Sequence, residues 1–385
     1  MSILKQFSRI FHWGPLIALG IIKSITFTTL RYNEKWWPFD GTLPAILNLV
    51  LFVISSSLTL YHFLASLALG PGYVPLHWKP VSQNDISFLQ FCSICKAYKA
   101  PRSHHCSKCG KCVLKMDHHC PWINNCVGHY NHGHFTAFLA FAVIGCSHAT
   151  IILLSYLMMI LFQPWQYHYP SSRGYIGTWH IFWIVINIGL AIGVVIAVGI
   201  LLFLQLRAIL RNRTGIEDWI LEKAVARRKE SQDAFVYPYD LGRMANWNQV
   251  VNFSCTPIGD GIFWTTKEGC NEYTLTIEQI EQKRLKKLRS IEYEVIRSYS
   301  GSWFPVSHGL RAVFCQPCTE EPRIYINLGE IITVTRWKKY WYYGEVFQFP
   351  RDTENGRRRR GWFPKRCVQV LDSAPGPVKE FKKKK

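Results

Sequence analysis

Four long apolar blocks constrain the fold of this 385-residue chain more than any other feature of its sequence. Each block approaches or exceeds the roughly 20 residues that a bilayer-spanning helix needs. Lys23 interrupts the first block, but no small-residue cleavage site follows it, which disfavours a signal peptide. The sequence therefore predicts a multi-pass α-helical membrane protein with four transmembrane helices, at Gly14–Leu30, Pro44–Leu69, Phe135–Leu161 and Trp179–Leu206.

The distribution of basic residues predicts the orientation of these helices. The loop between the third and fourth blocks carries only Arg173, whereas the segment between the second and third blocks is rich in Lys and Arg. Segments rich in Lys and Arg stay on the cytosolic side of a membrane. We therefore expect both termini and the segment between the second and third helices to face the cytosol. The basic residues of that segment are Lys79, Lys96, Lys99, Arg102, Lys108, Lys111 and Lys115.

Charge and cysteine content narrow the range of partners. The net charge of +20 lies mainly after Leu206. Four membrane spans make anionic lipid head groups the simpler partner for this charge, and we expect no nucleic acid. In the reducing cytosol, thirteen cysteines argue for metal binding, catalysis or lipid attachment rather than disulfides.

Seven cysteines and four histidines crowd between Cys92 and Cys126. Two zinc sites with four ligands each would use eight of these groups, and an iron–sulfur cluster is less typical of sets that contain histidine. One allocation gives each ion three sulfurs and one nitrogen and leaves His104, His118 and Cys120 free. A rival allocation leaves no free thiol, because Cys92 and Cys95 pair with Cys106 and Cys109, and the second ion takes Cys112, His118, Cys120 and Cys126. Three consecutive residues rarely all reach one ion, which favours the first allocation.

The motifs of this region follow one another over some forty residues: Cys92-x2-Cys95, Pro101-Arg102-Ser103-His104-His105-Cys106, Cys109-x2-Cys112, Met116-Asp117-His118-His119-Cys120-Pro121-Trp122 and Asn124-Asn125-Cys126-Val127-Gly128. They resemble the cysteine-rich domain of DHHC protein S-acyltransferases, whose architecture also has four spans with this domain after the second. The resemblance implies two structural zinc ions, one held by Cys92, Cys95, His105 and Cys112, the other by Cys106, Cys109, His119 and Cys126.

The resemblance also implies a protein S-palmitoyltransferase. Cys120 would take a long-chain acyl group from palmitoyl-CoA, hold it as a thioester and pass it to cysteines of cytosol-facing or membrane proteins. His118 would accept the thiol proton and Asp117 would orient the imidazole, as in other Cys/His sites. Farther along, Thr214 and Glu217 match a supporting family motif.

The chain departs from the family pattern at two positions. Gly215 stands where the family usually has a threonine, so it offers no hydroxyl to Asp117, and Gly70 replaces a usual aspartate. Asn246 matches the anchor of the family's tail segment. The two departures are the best support for a rival function, a catalytically weak zinc and SH3 scaffold at the endoplasmic reticulum membrane. An acyl-thioester hydrolase, in which water replaces the acceptor thiol, is a further alternative.

The sequence predicts six segments, each with its own composition. Helical spacing at Glu217–Arg228 and Leu275–Ile291 gives way near Tyr293 to short alternating runs, which predict an all-β SH3-like barrel. The segments are residues 1–78 with the first two helices, the zinc domain 79–134, the third and fourth helices 135–207, the cytosolic tail 208–291, the SH3-like domain 292–372 and the basic tail 373–385.

The C-terminal part carries three further features. Lys382 and Lys383 resemble a dilysine signal for retrieval to the endoplasmic reticulum. An SH3 domain grips proline-rich peptides, but a barrel that packs on its own protein is an equal alternative. Cys315 and Cys318 form a C-x-x-C with no second pair nearby, so we expect either acylation by a regulatory acyltransferase or burial. The SH3-like region and the dilysine end together are similar to an endoplasmic-reticulum branch of the family.

Overall fold

The computed structural model describes residues 8–38, 41–162, 178–229, 233–319, 321–346 and 359–371. The chain divides into two compact units, residues 1–279 and 280–385. Within the described residues, four helices are long and apolar enough to cross a membrane, as predicted. They are α1 (Trp13–Trp36), α2 (Leu43–Ala68), α3 (His132–Phe162) and α4 (Thr178–Leu210).

Helix α3 lies at the centre of the first unit and packs against α1, α2 and α4. Apolar side chains on the outer faces of these helices are exposed, as a lipid environment requires, among them Leu47, Leu51, Ile151 and Ile196. Polar side chains inside the bundle pair across helices. Ser24 in α1 donates to Asn187 Oδ1 in α4 at 2.8 Å. Such buried hydrogen bonds tie membrane helices to one another.

Three short antiparallel hairpins form the segment between α2 and α3. A 3₁₀-helix at Gln83–Phe88 precedes them. Their strands are β1 (Phe91–Cys92) with β2 (Ala97–Tyr98), β3 (His104–Cys106) with β4 (Lys111–Val113), and β5 (His118–Cys120) with β6 (Asn125–Val127).

Three helices follow α4 in the part of the tail that the structure describes. They are α5 (Gly215–Arg227), α6 (Arg243–Asn248) and α7 (Thr274–Leu288). Helix α5 begins with a capping box, in which Thr214 Oγ1 accepts from the Glu217 N–H and the Glu217 carboxylate accepts from the Thr214 N–H. This reciprocal pair explains why the helix begins two residues earlier than its apolar spacing predicts.

The described part of the second unit contains seven strands, namely β7 (Ile291–Val295), β8 (Tyr299–Ser300), β9 (Tyr325–Ile326), β10 (Ile331–Trp337), β11 (Trp341–Val346), β12 (Arg360–Pro364) and β13 (Val368–Val370). Five of them form an antiparallel sheet with the order β12–β11–β10–β7–β13. Among the described strands, the edge strands β12 and β13 do not pair, so the sheet is open where the sequence predicted a closed barrel. A two-stranded pair, β8–β9, and a short helix, α8 (Leu310–Phe314), accompany it.

Candidate active site

The hairpins gather cysteine and histidine side chains into two separate clusters. In each, three cysteines and one histidine bring their donor atoms within 4.8 Å of one another, so each cluster could hold a metal ion. The first cluster contains Cys92, Cys95, His105 and Cys112, and the second contains Cys106, Cys109, His119 and Cys126. The rival allocation, which combined the two C-x-x-C pairs on one ion, does not match this grouping.

The donor atoms have the spacing of ligands around a tetrahedral zinc ion. Zinc–sulfur bonds of about 2.3 Å and zinc–nitrogen bonds of about 2.0 Å place sulfur and nitrogen ligands about 3.6 Å apart. His105 Nδ1 lies 3.5, 3.3 and 3.9 Å from the three sulfurs of the first cluster. His119 Nδ1 lies 3.7, 3.5 and 3.6 Å from those of the second. Both donor sets therefore fit a closed, four-ligand zinc site.

Strand pairing explains how the clusters form. His105 lies opposite Cys112 in hairpin β3–β4, and His119 lies opposite Cys126 in hairpin β5–β6. Each hairpin thus supplies one imidazole and one thiol from facing positions. Because successive side chains along a strand point to opposite faces, Cys106 leaves the cluster of its neighbour His105 and joins the other one.

The same alternation separates Cys120 from the metal clusters. His119 belongs to the second cluster, so His118 and Cys120 share the opposite face of β5. Cys120 is 4% exposed and packs among apolar side chains that include Phe63 of α2 and Phe135 of α3. This thiol lies outside both donor sets, on the same strand face as the His118 imidazole.

An ion pair with the preceding residue holds His118 in place. His118 Nδ1 lies 2.9 Å from Asp117 Oδ2. Burial opposes a charge on this imidazole, but the Asp117 carboxylate and the Cys120 sulfur raise the pKa of His118 to about 9. Burial likewise opposes a charge on Asp117, but the hydrogen bond and the charge of His118 hold the pKa of Asp117 below its ordinary value.

Two groups beyond the cysteine-rich region fix the Asp117 carboxylate. Gln205 in α4 donates to Asp117 Oδ2 at 2.9 Å, and the Gly215 main-chain N–H donates to Oδ1 at 3.0 Å. Gln205 Oε1 in turn lies 2.9 Å from His132 Nε2. Gly215 lacks the hydroxyl that the family pattern supplies, yet its backbone contacts the same carboxylate. Sequence reasoning missed Gln205, although a polar side chain in an apolar span was an available signal.

A buried ion pair joins the cysteine-rich region to the tail. Arg102, which precedes β3, donates from Nε to Glu217 Oε1 at 2.6 Å and from Nη2 to Oε2 at 2.8 Å. Both side chains are almost fully buried. The guanidinium also lies over the rings of Tyr239 and Trp264, at 4.4 and 4.5 Å. Glu217, which is capped by Thr214, thus contacts the cysteine-rich region through Arg102, a partner that the sequence did not predict.

The tail segment is anchored by Asn246, which is completely buried. Its Nδ2 donates to Leu210 O, at the end of α4, at 3.0 Å, and to Asp240 Oδ1 at 2.7 Å. Its Oδ1 accepts from the Leu241 N–H at 3.0 Å. Asn246 therefore ties the tail to the helix that carries Gln205.

An apolar cavity of about 420 Å³ opens between the helices and reaches Cys120. Its lining in α4 runs from Gly189 to Leu201, roughly 18 Å along a helix that rises about 1.5 Å per residue. Gly145 of α3 and Gly193 of α4 also line it, and their lack of side chains leaves room. The cavity can accept a long apolar chain whose end reaches the sulfur.

The other predicted site residues lie elsewhere. Gly70 begins a segment whose backbone pairs with the cysteine-rich region. In this segment Pro71 O accepts from the Tyr130 N–H at 3.1 Å, so the absence of an acid at position 70 leaves this contact intact.

Cys315 and Cys318 are exposed, which excludes the alternative that they are buried. The proposed retrieval residues, Lys382 and Lys383, lie outside the described residues.

Comparison with known proteins decides the family. The model of the DHHC palmitoyltransferase family matches residues 85–222. Palmitoyltransferase ZDHHC6 of Danio rerio is 45% identical over 405 aligned positions, which cover 99% of this chain and 97% of the relative. This chain belongs to the DHHC palmitoyltransferase family. The Homo sapiens relative of the same name is 43% identical and covers 95% of this chain, and Probable protein S-acyltransferase 16 of Arabidopsis thaliana is 31% identical over 60% of it. The relatives are covered over 92% and 81% of their own length.

This DHHC palmitoyltransferase is therefore an enzyme, a protein S-palmitoyltransferase with four helices suited to a membrane. The predicted family and activity are confirmed, and the scaffold and hydrolase alternatives are not needed. An enzyme of this activity acts on protein substrates with an acyl-CoA donor.

Proposed function

We propose that this enzyme acts through an acyl-enzyme thioester on Cys120, with palmitoyl-CoA as the donor, and that the two Cys₃His clusters would each hold a structural zinc ion. One observation carries the proposal: the Cys120 thiol lies outside both metal clusters, beside His118, and lines the apolar cavity. Acyl transfer to a thiol requires a nucleophile, a base beside it and a carboxylate that orients the base, and Cys120, His118 and Asp117 would supply these three groups.

In the first step, His118 takes the Cys120 proton and the sulfur attacks the thioester carbonyl carbon of the donor. The bond between that carbon and the CoA sulfur then breaks, and His118 returns the proton to the leaving thiolate. Asp117 stabilises the protonated imidazole throughout, held by Gln205 and the Gly215 N–H. The acyl chain lies in the cavity, whose apolar wall contributes binding energy for each methylene it removes from water.

In the second step, a cysteine of the protein substrate gives its proton to His118 and attacks the same carbonyl carbon. The bond to the Cys120 sulfur breaks, and Cys120 recovers its proton. One thioester replaces another in each step, so the reaction depends on positioning more than on driving force. Substrate cysteines close to the membrane surface suit this geometry, because the acyl chain never leaves the apolar layer.

The zinc ions would be held by the two Cys₃His clusters and would supply folding energy, because neither site has an open position for water or substrate. Hairpin β5–β6, which presents Asp117, His118 and Cys120, has only three residues per strand. Strands this short do not persist without cross-linking, so the ligands on β5 and β6 would fix the nucleophile in place.

A clickable palmitoyl-CoA analogue tests the mechanism. We expect label on the wild-type protein, transfer of that label to a peptide thiol, and no label on Cys120→Ser. Rapid release of label to water without transfer would instead indicate a hydrolase. Label that persists on Cys120→Ser with undiminished transfer would contradict the proposal.

We also propose that the enzyme lies in the endoplasmic reticulum membrane, with both termini and the cysteine-rich region in the cytosol. The basic segment between α2 and α3 supports this orientation, and the Lys382–Lys383 pair supports retrieval to the endoplasmic reticulum. The five-stranded antiparallel sheet of the second unit supports an all-β, SH3-like domain. Trp341 is fully buried and donates to Ala312 O at 3.1 Å, which favours packing on its own chain over a proline-rich ligand.

We propose finally that the exposed thiols Cys315 and Cys318 accept acyl groups from a regulatory acyltransferase. Exposed thiols are accessible to such an enzyme. Hydroxylamine-sensitive palmitate that persists on Cys120→Ala and vanishes with Cys318→Ala would support modification by another enzyme. Complete loss of palmitate on Cys120→Ala would contradict it.

A further inference from the structure

A third cluster of metal-ligand side chains lies outside the cysteine-rich region. His62 of α2, His134 of α3 and Cys255 of the loop after α6 bring their donor atoms within 4.8 Å of one another. The two imidazole Nδ1 atoms are 3.0 Å apart, and both histidines are buried. We propose that these three side chains form a third metal site, which binds zinc and joins α2, α3 and the tail.

The donor set has the chemistry that zinc takes. Zinc accepts imidazole nitrogen and thiolate sulfur, and a site with three protein ligands leaves a fourth position for water or another donor. Two nitrogens bound to one zinc ion at about 2.0 Å lie about 3.3 Å apart. The rings of His62 and His134 therefore need to part by only a few tenths of an ångström. On binding, the Cys255 thiol releases its proton to water and its sulfur becomes the third ligand.

A constrained turn presents Cys255 to the two histidines. Its φ of 53° lies in the left-handed region, which residues other than glycine seldom adopt. Asn252 braces the turn from both sides. Its Nδ2 donates to Thr256 O at 2.6 Å, and its Oδ1 accepts from the Thr256 N–H at 3.2 Å. Strained backbone of this kind persists where the surrounding structure fixes it.

Gly133 permits the close approach of this loop to α3. A Cβ at this position would lie 2.7 Å from Val250 O and 3.0 Å from Cys255 O. Every residue larger than glycine would therefore push the loop away. Gly133 directly precedes His134, so the contact that admits the loop adjoins one of the proposed ligands.

Aromatic side chains enclose the two imidazoles. The Phe141 ring stacks on His62 with centroids 5.7 Å apart, and Tyr61 lies edge-on to both histidines, at 4.9 and 5.9 Å. One turn further along α2, Ser66 O accepts from Asn131 Nδ2 at 3.1 Å. A zinc ion at the third cluster would thus reinforce the same junction of α2 with the start of α3.

Zinc stoichiometry of the purified full-length protein tests the proposal. After equilibration with Zn²⁺ and removal of loosely bound metal, we expect three zinc ions per chain in the wild type and two in Cys255→Ser. Cys270→Ser is the matched control, because Cys270 belongs to none of the three clusters, and it should retain three. Two zinc ions in the wild type, or three in Cys255→Ser, would overturn the third site.

A second measurement uses the wild type alone and does not depend on a variant that folds. Zinc should slow the alkylation of Cys255, followed by mass spectrometry of its peptide, by about tenfold or more, because a coordinated sulfur is a poor nucleophile. Alkylation of Cys270 in the same sample should not change. An equal rate at Cys255 with and without Zn²⁺ would overturn the proposal.

Discussion

Hairpins β3–β4 and β5–β6 both begin with the tripeptide His-His-Cys, and the last residue has a different role in each. Cys106 ends β3 and joins a metal cluster, whereas Cys120 ends β5 and lines the apolar cavity. The middle histidine, His105 or His119, is a cluster member in both hairpins. Side chains alternate between the two faces in both strands. The roles of Cys106 and Cys120 therefore differ because the face that carries the cysteine contacts different groups in each hairpin.

The sequence around each cysteine sets that difference. Cys106 is followed by Cys109, so a C-x-x-C pair draws it into the cluster, while Cys120 is followed by Pro121 and Trp122. A different charged residue also lies close before each strand. Arg102, two residues before β3, contacts Glu217, and Asp117, directly before β5, contacts Gly215. Both contacts are with the first turn of α5. The same tripeptide thus places its cysteine in a metal-ligand cluster in one hairpin and at an apolar cavity in the next.

Serine at the two cysteines should separate these roles most strongly. We expect Cys120→Ser to keep its zinc content and thermal stability but to lose palmitoyl transfer by more than about a thousandfold, because the oxygen is a far weaker nucleophile. Cys106→Ser should lose zinc and unfold at a lower temperature. Zinc analysis, melting curves and transfer assays on both variants check this, and equal zinc loss in the two would refute the contrast.

The first histidine of each tripeptide gives the next largest effect. His118→Gln removes the proposed base for Cys120, and we expect palmitoyl transfer to fall by about 10²–10⁴-fold. His104→Gln in β3 is the matched control and should change the transfer rate by less than about tenfold, since it faces no nucleophile. Single-turnover acylation rates distinguish the two. A fall of similar size in both variants would show a structural rather than a chemical role.

The buried Arg102–Glu217 pair should affect stability more than chemistry. Glu217→Gln leaves the Arg102 charge buried without its partner, which costs about 3–5 kcal/mol in free energy of unfolding. Asp218→Asn, one residue further, removes an exposed partner of Arg213 and should cost at most about 1 kcal/mol. Thermal unfolding of both variants in the same detergent checks the order. The reverse order would contradict the proposed link between the cysteine-rich region and the tail.

The smallest effect is expected at Gly215, where this chain departs from the family. A Cβ there would lie 3.9 Å from Asp117 Oδ1, so Gly215→Ser fits and brings a hydroxyl close to the carboxylate. We expect stability to rise by about 0.5 kcal/mol, because glycine is the poorer helix former, and activity to be kept or to increase. Melting temperature and transfer rate measure the two effects. A loss of activity would show that the main-chain contact with Asp117 requires glycine.

The sequence predicted the membrane helices well because bilayer thickness fixes their length. Each predicted block lies largely within its helix, from Trp13–Trp36 to Thr178–Leu210. The two ligand clusters of the cysteine-rich region were predicted equally well, since metal ligands must be particular residue types at short spacing. The open edge of the C-terminal sheet was not predicted, because strand alternation does not say whether the last strands meet.

The long-range partners of Arg102 and Asp117 could not be predicted. Arg102 and Glu217 are 115 positions apart, and Gln205 and Asp117 are 88 apart, so only the folded chain brings them together. The third cluster also joins residues that are far apart in the sequence. His62, His134 and Cys255 share no motif, and each alone is typical of a packed side chain.

Mapping the acyl group on the zinc-loaded enzyme shows directly whether Cys120 is the acylated residue. Brief reaction with palmitoyl-CoA, followed by proteolysis and mass spectrometry under conditions that preserve thioesters, should place the acyl mass on the peptide that contains Cys120. Zinc content should remain unchanged by acylation. An acyl group on a cysteine of either metal cluster, or zinc released as Cys120 is acylated, would contradict the claim that this sulfur is free of metal and carries the chemistry.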